Sequence, residues 1–169
     1  MATDEELVSS LCAGDEPALA ELLRRYERPL AQFIYRHTGG RDVEDLYQET
    51  WARVVQHAHR FDRRKRLSTW LFQIAVNLCR DWYRRPPPVV AAAAETATPP
   101  RDLERAEARL DAGRLLAELT EPQREVVLLR YYQDLSEDET AAILACPVGT
   151  VKSRLHTALA RLAALVQEQ

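Results

Sequence analysis

The stretch SEDETAAILACPVGTVKSRLHTALARL, residues 136–162, decides the fold of the C-terminal half. Ser136-Glu137-Asp138-Glu139 has the form of a capping box, a hydroxyl followed three residues later by a carboxylate, and it opens a short helix through about Leu144. Pro147 and Gly149 mark a tight break, after which a longer helix runs from about Val148 to Val166. Val151, Leu155, Leu159 and Leu162 give that helix an apolar face. A short helix, a turn of a few residues and a longer helix form a helix-turn-helix. Burial of the apolar face leaves Thr150, Lys152, Ser153, Arg154, His156 and Thr157 for the other faces. In such a unit, the first residues of the second helix meet base edges in the major groove. Lys152 and Arg154 can donate to guanine or phosphate, and Ser153 to either. Scattered Lys and Arg are more often a solvated face, but here cap, turn and polar placement agree on DNA.

Upstream, Thr120-Glu121-Pro122-Gln123 resembles a second capping box with proline in the first turn. Val126, Val127, Leu129 and Tyr131 fall in the helix it starts, and Leu103, Ala106, Leu110 and Leu116 outline one more before it. The segment PPPVVAAAAETATPP, 86–100, offers prolines that block hydrogen bonding and small residues that give a core little to hold. It predicts a flexible Pro/Ala-rich linker. The fold expected is therefore all-α: a helical domain over 1–85, a linker over 86–100, and a four-helix domain with the helix-turn-helix over 101–169.

In the first half, Leu19, Leu22, Leu23, Tyr26, Leu30, Phe33 and Ile34 recur at helical spacing until Gly39-Gly40. A second helix, about 42–58, places Val43, Leu46, Thr50 and Val54 inward. A third, about 69–85, turns Trp70, Leu71, Ile74, Leu78 and Trp82 inward, with Ser68 or Thr69 as N-cap. No run of strand-like alternation interrupts these patterns.

At 46% hydrophobic and 29% charged residues, the 169-residue chain can bury a core and remain in solution. No stretch approaches the roughly 20 apolar residues of a membrane span. The acidic start MATDEELVSS lacks the features of a signal peptide, so a cytoplasmic protein without membrane insertion is expected. Cys12, Cys79 and Cys146 are far apart, and His57 and His59 have no ligand spacing around them. Buried or incidental thiols, no metal and no cofactor follow. The net charge of −3 conceals an asymmetry: residues 60–85 carry eight Lys/Arg against two acids, a local +6. One surface suits a polyanion while the rest is acidic.

That basic segment holds the second candidate site. Arg63, Arg64, Lys65 and Arg66, with Arg60, crowd a loop before the third helix. Gln73, Asn77, Arg80 and Arg84 then follow at i, i+4, i+7 and i+11 as a polar stripe that suits a DNA backbone. Phe61 and Trp70 bracket the loop. Trp70 lies on the apolar stripe and reads as core, while for Phe61 both core packing and stacking on an unpaired base stay open. A third group, Asp42, Asp45 and Glu49 with Gln48, lines one side of the second helix. With no nucleophile, Gly-rich loop, GxSxG or HExxH to accompany them, these carboxylates suit docking on a basic protein better than catalysis. Simple solvation of that face is the competing account.

DVEDLYQETWARVV (42–55), LSTWLFQIAVNLCRDWYRR (67–85) and PVGTVKSRLHTALARL (147–162), in this order around a linker, resemble the extracytoplasmic-function (ECF) RNA polymerase sigma factors of the sigma-70 family. The resemblance covers nearly the whole chain. It implies that 1–85 corresponds to region two, which binds core polymerase and the minus-ten element, and 101–169 to region four, which binds the minus-thirty-five element. It further implies that Asp42, Asp45, Gln48 and Glu49 meet the β′ clamp coiled coil, and that the second domain contacts the β flap. The loop at 61–67 and the helix through Asn77 and Arg80 would capture the melted minus-ten strand, with a flipped base held in a pocket. Lys152, Ser153, His156 and Thr157 would face bases of the minus-thirty-five duplex. The linker would thread the polymerase cleft, and an anti-sigma factor is a possible further partner. The function implied is promoter recognition, DNA melting and initiation for a stress- or signal-responsive gene set, with no catalysis by this chain.

Three departures from the family pattern stand out. His156 and Thr157 replace more basic or larger residues, Ala145 takes a turn position often held by glycine, and Arg63–Arg66 is unusually basic. TVKSRL also suits a LuxR-like regulator, but that class requires a sensor or phosphoacceptor domain with βα alternation, absent from the pattern of 1–85. A helical adaptor whose basic loop is merely solvated is a second rival. A nuclease lacks any convergent metal-ligand set.

Overall fold

The computed structural model describes residues 1–85 and 111–167, and every regular element among them is helical. The expected linker at 86–100 and the helix outlined by Leu103, Ala106 and Leu110 lie outside the described residues.

The chain opens with a helix the sequence reading did not anticipate. In α1 (Asp4–Cys12), Thr3 accepts from the Glu6 amide at 3.2 Å while Glu6 accepts from the Thr3 amide at 2.7 Å, a reciprocal capping box. Leu7 and Val8 bury its inner face on α2. Asp4 fixes the docking, accepting from Arg25 at 2.6 Å and from the Tyr26 hydroxyl at 2.5 Å. Helix α2 (Glu16–Thr38) carries the apolar stripe expected of it, with Leu22, Leu30, Phe33 and Ile34 fully buried. It stops where the double glycine predicts, Gly39 and Gly40 both at positive φ. Gly40, at φ 82°, holds a backbone conformation that L side chains rarely adopt, so the turn favours glycine there.

Helix α3 (Val43–His57) turns Leu46, Thr50, Trp51 and Val54 inward, and Asp42 precedes it as a left-handed N-cap at φ 51°. After a 3₁₀ turn (Ala58–Arg60) comes α4 (Leu67–Arg84), two residues earlier than the sequence suggested. Neither Ser68 nor Thr69 caps it. The Leu67 amide donates instead to Glu5 of α1 at 3.2 Å, so a distant carboxylate does the work of a local cap. Leu71, Phe72, Ala75, Val76, Leu78 and Cys79 bury α4 in the core, while Trp70, Ile74 and Trp82 lie half-buried at its margin.

The second unit contains α5 (helical over 111–117), α6 (Glu121–Val127), α7 (Glu137–Leu144) and α8 (Val148–Gln167). Between α6 and α7 the helix widens into a π turn at Leu128–Tyr132. The predicted box at Ser136 forms, with the Glu139 amide donating to Ser136 Oγ at 3.1 Å and the Ser136 amide to Glu139 Oε2 at 2.8 Å. In α8, however, Leu159 is exposed, and the buried pair is Val151 and Ala158, with Leu155 and Leu162 half-buried. At 100° per residue, Ala158 lies about 20° from Val151 and Leu159 about 80° away. Helix α7 packs on α4, and the π turn on α2, so the buried apolar residues of both units form one cluster.

The turn of the helix-turn-helix holds its one conformational strain at Ala145, at φ 52° and ψ 46°. An L-residue there costs about 1–2 kcal/mol relative to its relaxed backbone, and glycine avoids that cost. Ala145→Gly is expected to stabilise the second unit by about 1 kcal/mol after the entropy of the freer unfolded chain is deducted. A lower or unchanged thermal midpoint by circular dichroism would contradict this.

Candidate nucleic-acid interface

The basic loop is a built turn. Asp62 accepts from the Arg64 amide at 3.1 Å and, bidentately, from its guanidinium at 3.0 Å, and the Lys65 amide donates to the Asp62 carbonyl at 2.9 Å. Those Arg64 hydrogen bonds hold the Asp62 carboxyl down at about 2. The turn leaves Arg63, Arg64, Lys65 and Arg66 exposed at one end of α4. Phe61 and Trp70 pack against each other with ring centroids 5.2 Å apart, and both are half-buried against the core.

Beside this pair opens a shallow cavity of about 280 Å³, lined by Arg53, His57, Arg60, Trp70, Ile74 and Asn77. Trp70 and Ile74 supply apolar walls; cations, imidazole and the Asn77 amide supply donors and acceptors. Such a small amphipathic recess can take a planar polar ring by stacking and edge hydrogen bonds. Arg53 and His57 are members the sequence reading missed. Their i, i+4 spacing, continued by Arg60 at i+7, was the available signal, but only the packing of α3 on α4 shows what they face.

Of the candidate DNA-facing side chains on α8, Lys152, Ser153, His156 and Thr157 are exposed, with Thr150 half-buried at the first turn. Ser153 donates to the Thr150 carbonyl at 3.1 Å and Thr157 to the Ser153 carbonyl at 3.0 Å. Lys152 lies 3.6 Å from Glu137 of the preceding helix. Arg154 points elsewhere. It lines a second cavity, of about 330 Å³, with Arg80, Arg84, Glu121 and Glu125 between the two units.

The acidic face of α3 is solvent-exposed at Asp45, Gln48 and Glu49. Gln48 donates to Glu44 at 2.8 Å, and Arg53 to Glu49 at 2.9 Å. Asp42 sits apart from them, accepting from the Trp82 indole at 2.7 Å, with the Arg41 guanidinium 4.7 Å over the same ring.

Arg80 is not free. Its guanidinium donates to both oxygens of Glu125 of α6, at 2.8 and 2.7 Å, and His37 Nε2 lies 3.4 Å from the same carboxylate. Glu125 is 1% exposed. The ligand atoms of His37, Glu121 and Glu125 lie within 4.8 Å of one another, but the guanidinium already balances the Glu125 charge. Alongside, Arg124 donates to the Tyr83 hydroxyl at 2.7 Å and to the His37 carbonyl at 3.2 Å. Cys79 is buried near these acids, its thiol pushed up to about 12 chiefly by burial; Cys146 is partly exposed and Cys12 exposed.

With these surfaces in place, the comparisons with known proteins are unambiguous. Sigma-70 region 2 matches residues 22–86, and Sigma-70, region 4 matches residues 109–162. The ECF RNA polymerase sigma-E factors of Salmonella typhimurium and Escherichia coli (strain K12) are each 33% identical over 172 residues, covering 92% of this chain and 90% of theirs. CnrH, solved in complex with the cytosolic domain of CnrY, aligns with a TM-score of 0.77 and 28% identity over 98% of both chains. The sigma factor RpoE of Bartonella quintana, solved with the anti-sigma factor NepR, gives 0.70 and 26% over 88% of this chain and 96% of its own. The chain belongs to the ECF RNA polymerase sigma factors of the sigma-70 family, non-catalytic subunits that bind core polymerase and direct promoter recognition and transcription initiation. No helix among the described residues is long and apolar enough to cross a membrane.

The Glu125 site carries a pH dependence of definite sign. Burial alone raises its pKa, but the hydrogen bonds of His37 and Arg80 outweigh that and hold it below the ordinary 4.5. A carboxyl lowered on folding contributes stability that is complete above its unfolded pKa and is lost as pH falls through the folded one. Glu125→Gln is expected to weaken the packing of the two units by roughly 3 kcal/mol at neutral pH. It should also flatten the fall of thermal midpoint with acidification below about pH 4.5 relative to the parent chain. Parallel titration curves for the two proteins would refute this role.

Proposed function

We propose that the chain works as a cytoplasmic sigma factor in which residues 1–85 form the polymerase- and minus-ten-binding domain, 86–100 a linker, and 101–169 the minus-thirty-five-binding domain. The cavity between α3 and α4 carries this reading. Its Trp70 and Ile74 walls and the polar edge given by Arg53, His57, Arg60 and Asn77 suit one unstacked base. Arg63, Arg64, Lys65 and Arg66, exposed in the loop before α4, hold the phosphates of the same strand, and Gln73, Arg80 and Arg84 extend that contact along α4. Phe61 orients the Trp70 wall and offers a stacking face at the loop. Opening of the duplex is favoured because lost base stacking is exchanged for these contacts.

Lys152, Ser153, His156 and Thr157 read the minus-thirty-five duplex, while Thr150 contacts its backbone. Asp45, Gln48 and Glu49, with Asp42 at the N-cap of the same helix, dock on the basic β′ clamp coiled coil, and the second domain meets the β flap. The relatives solved as complexes, CnrH with the cytosolic domain of CnrY and RpoE with the anti-sigma factor NepR, support an anti-sigma partner here as well. A stress- or signal-responsive gene set fits such control.

Run-off transcription with core polymerase and a panel of candidate promoters tests the whole reading; no stimulation together with no core binding would sink it. Asp45→Lys with Glu49→Lys should lower core affinity at least tenfold while leaving the circular dichroism unchanged. Lys152→Ala should weaken binding of the minus-thirty-five duplex by about 1–3 kcal/mol and relax its sequence preference, read by fluorescence anisotropy. Asn77→Ala should lower open-complex formation more than duplex binding, read by permanganate reactivity of the melted strand.

A further inference from the structure

We propose that His37, Glu121 and Glu125 form a binding site for a single zinc ion between α2 and α6. The site stands on its own ligands and does not depend on the DNA-contact reading given above.

Its donors come from parts of the chain that sequence spacing does not join. His37 belongs to α2 and lies 88 residues from Glu125, while Glu121 and Glu125 stand one turn apart on α6. At i and i+4 the two carboxylates share a face of that helix. One ligand atom from each of the three residues falls within 4.8 Å of the others. His37 is 0% exposed and Glu125 1%, so two of the three donors are already out of water. The imidazole is flanked by the Phe33 and Tyr83 rings, at centroid distances of 5.6 and 5.7 Å. Its backbone carbonyl accepts from the Tyr83 hydroxyl and from Arg124, which fixes where the ring is carried.

Two polar atoms here lack a partner: Glu121 Oε1 and His37 Nδ1 are buried without a hydrogen bond. A carboxylate oxygen out of water with no donor carries a cost that a bound cation removes. The separation of the other two donors also fits. His37 Nε2 and Glu125 Oε1 are 3.4 Å apart, long for a hydrogen bond. Ligand atoms at zinc's bond lengths on a tetrahedron stand roughly 3.3–3.5 Å from each other. Arg80 leaves room for this arrangement. It donates through Nε to Oε1 and through Nη2 to Oε2, and each carboxylate oxygen has a second lone pair. Arg80 balances the charge of Glu125, and Glu121 adds the further negative charge that a divalent ion needs. Half-buried Glu121 has the freedom to close the remaining gap. One imidazole with two carboxylates favours Zn²⁺ over Mg²⁺ and Ca²⁺, which take six or more oxygens, and over soft ions that seek thiolates. The cavity of about 330 Å³ lined by Glu121 and Glu125 gives the ion a way in and a water a place as fourth ligand.

The test uses the full chain, stripped of metal, with zinc chloride titrated against a chromogenic chelator. One equivalent of Zn²⁺ should bind, and Co²⁺ in its place should show the visible absorption of a tetrahedral site. Glu121→Gln keeps the Glu125–Arg80 pair and the side chain's shape. It should match the parent by circular dichroism yet lose at least tenfold in zinc affinity. Zinc should raise the thermal midpoint of the parent and leave that of the variant unchanged. Cys146 lines the same cavity and Cys12 is exposed, so Cys12→Ser with Cys146→Ser controls for capture by thiols and should keep the parent's affinity. Absence of zinc binding, binding that Glu121→Gln leaves intact, or binding lost with the two thiols would each overturn the site.

Discussion

A carboxylate with 1% exposure holds the two halves of this molecule in one arrangement. Glu125 sits on α6, yet both guanidinium donors and the imidazole that face it come from α4 and α2. Its sequence neighbour Arg124 cannot help, because that guanidinium is spread over the carbonyls of Leu116, Leu119 and His37 and the Tyr83 hydroxyl. A carboxylate out of water without such partners would cost several kcal/mol. The second unit can bury Glu125 only while the first supplies the counter-charge. A buried ion pair adds little net stability over an apolar replacement. Around it the buried apolar residues of both units continue as one cluster, so the seam is a shared core with an ion pair set into it.

Helix α4 shows where reading the sequence succeeds and where it stops. Gln73, Asn77, Arg80 and Arg84 do lie within about 60° of arc at 100° per residue, so periodicity groups them as one stripe. Angle says nothing of what covers each height along the axis. Asn77 belongs with Trp70 and Ile74 at the α3 cavity, whereas Arg80 and Arg84 line the cavity against the second unit. Seven residues of helix separate Gln73 from Arg80, a rise of roughly 10 Å, enough for one stripe to serve two neighbours. The division of Lys152 from Arg154 has the same origin. Both are polar positions of α8, but two residues turn the helix by about 200°, and only contact with α4 decides which side faces the seam.

Much of the fold was legible because it is written in local punctuation. Ser136 with Glu139, and Gly39 with Gly40, act through neighbours three or four residues away, and each stands where the pattern predicts. Misreadings arose where a distant group intervened. The start of α4 at Leu67 depends on Glu5, and α1 itself holds through Asp4 against Arg25 and Tyr26. Its Thr3–Glu6 box was present in the sequence, but nine residues bury too little apolar surface to announce a helix by periodicity. Leu159 was assigned inward by hydrophobicity although Ala158 has the better angle. The small Ala158 is fully buried on the Val151 side, where α8 packs on α6 and α7, and the larger Leu159 is left outside.

The first turn of α7 joins local and global roles in a way composition hides. Glu137, Asp138 and Glu139 favour the start of the helix through its dipole, and Glu139 completes the cap on Ser136 with Oε2. Its other oxygen, Oε1, takes Arg66 of the first unit, and Glu137 lies beside Lys152 of α8. Acids that read as helix punctuation are therefore also the counter-charge of two candidate DNA-facing cations. The segment of +6 in a chain of net −3 is not simply a basic patch in an acidic protein. Part of the acidity is placed to meet that patch from within, and any polyanion reaching Arg66 or Arg80 must displace it.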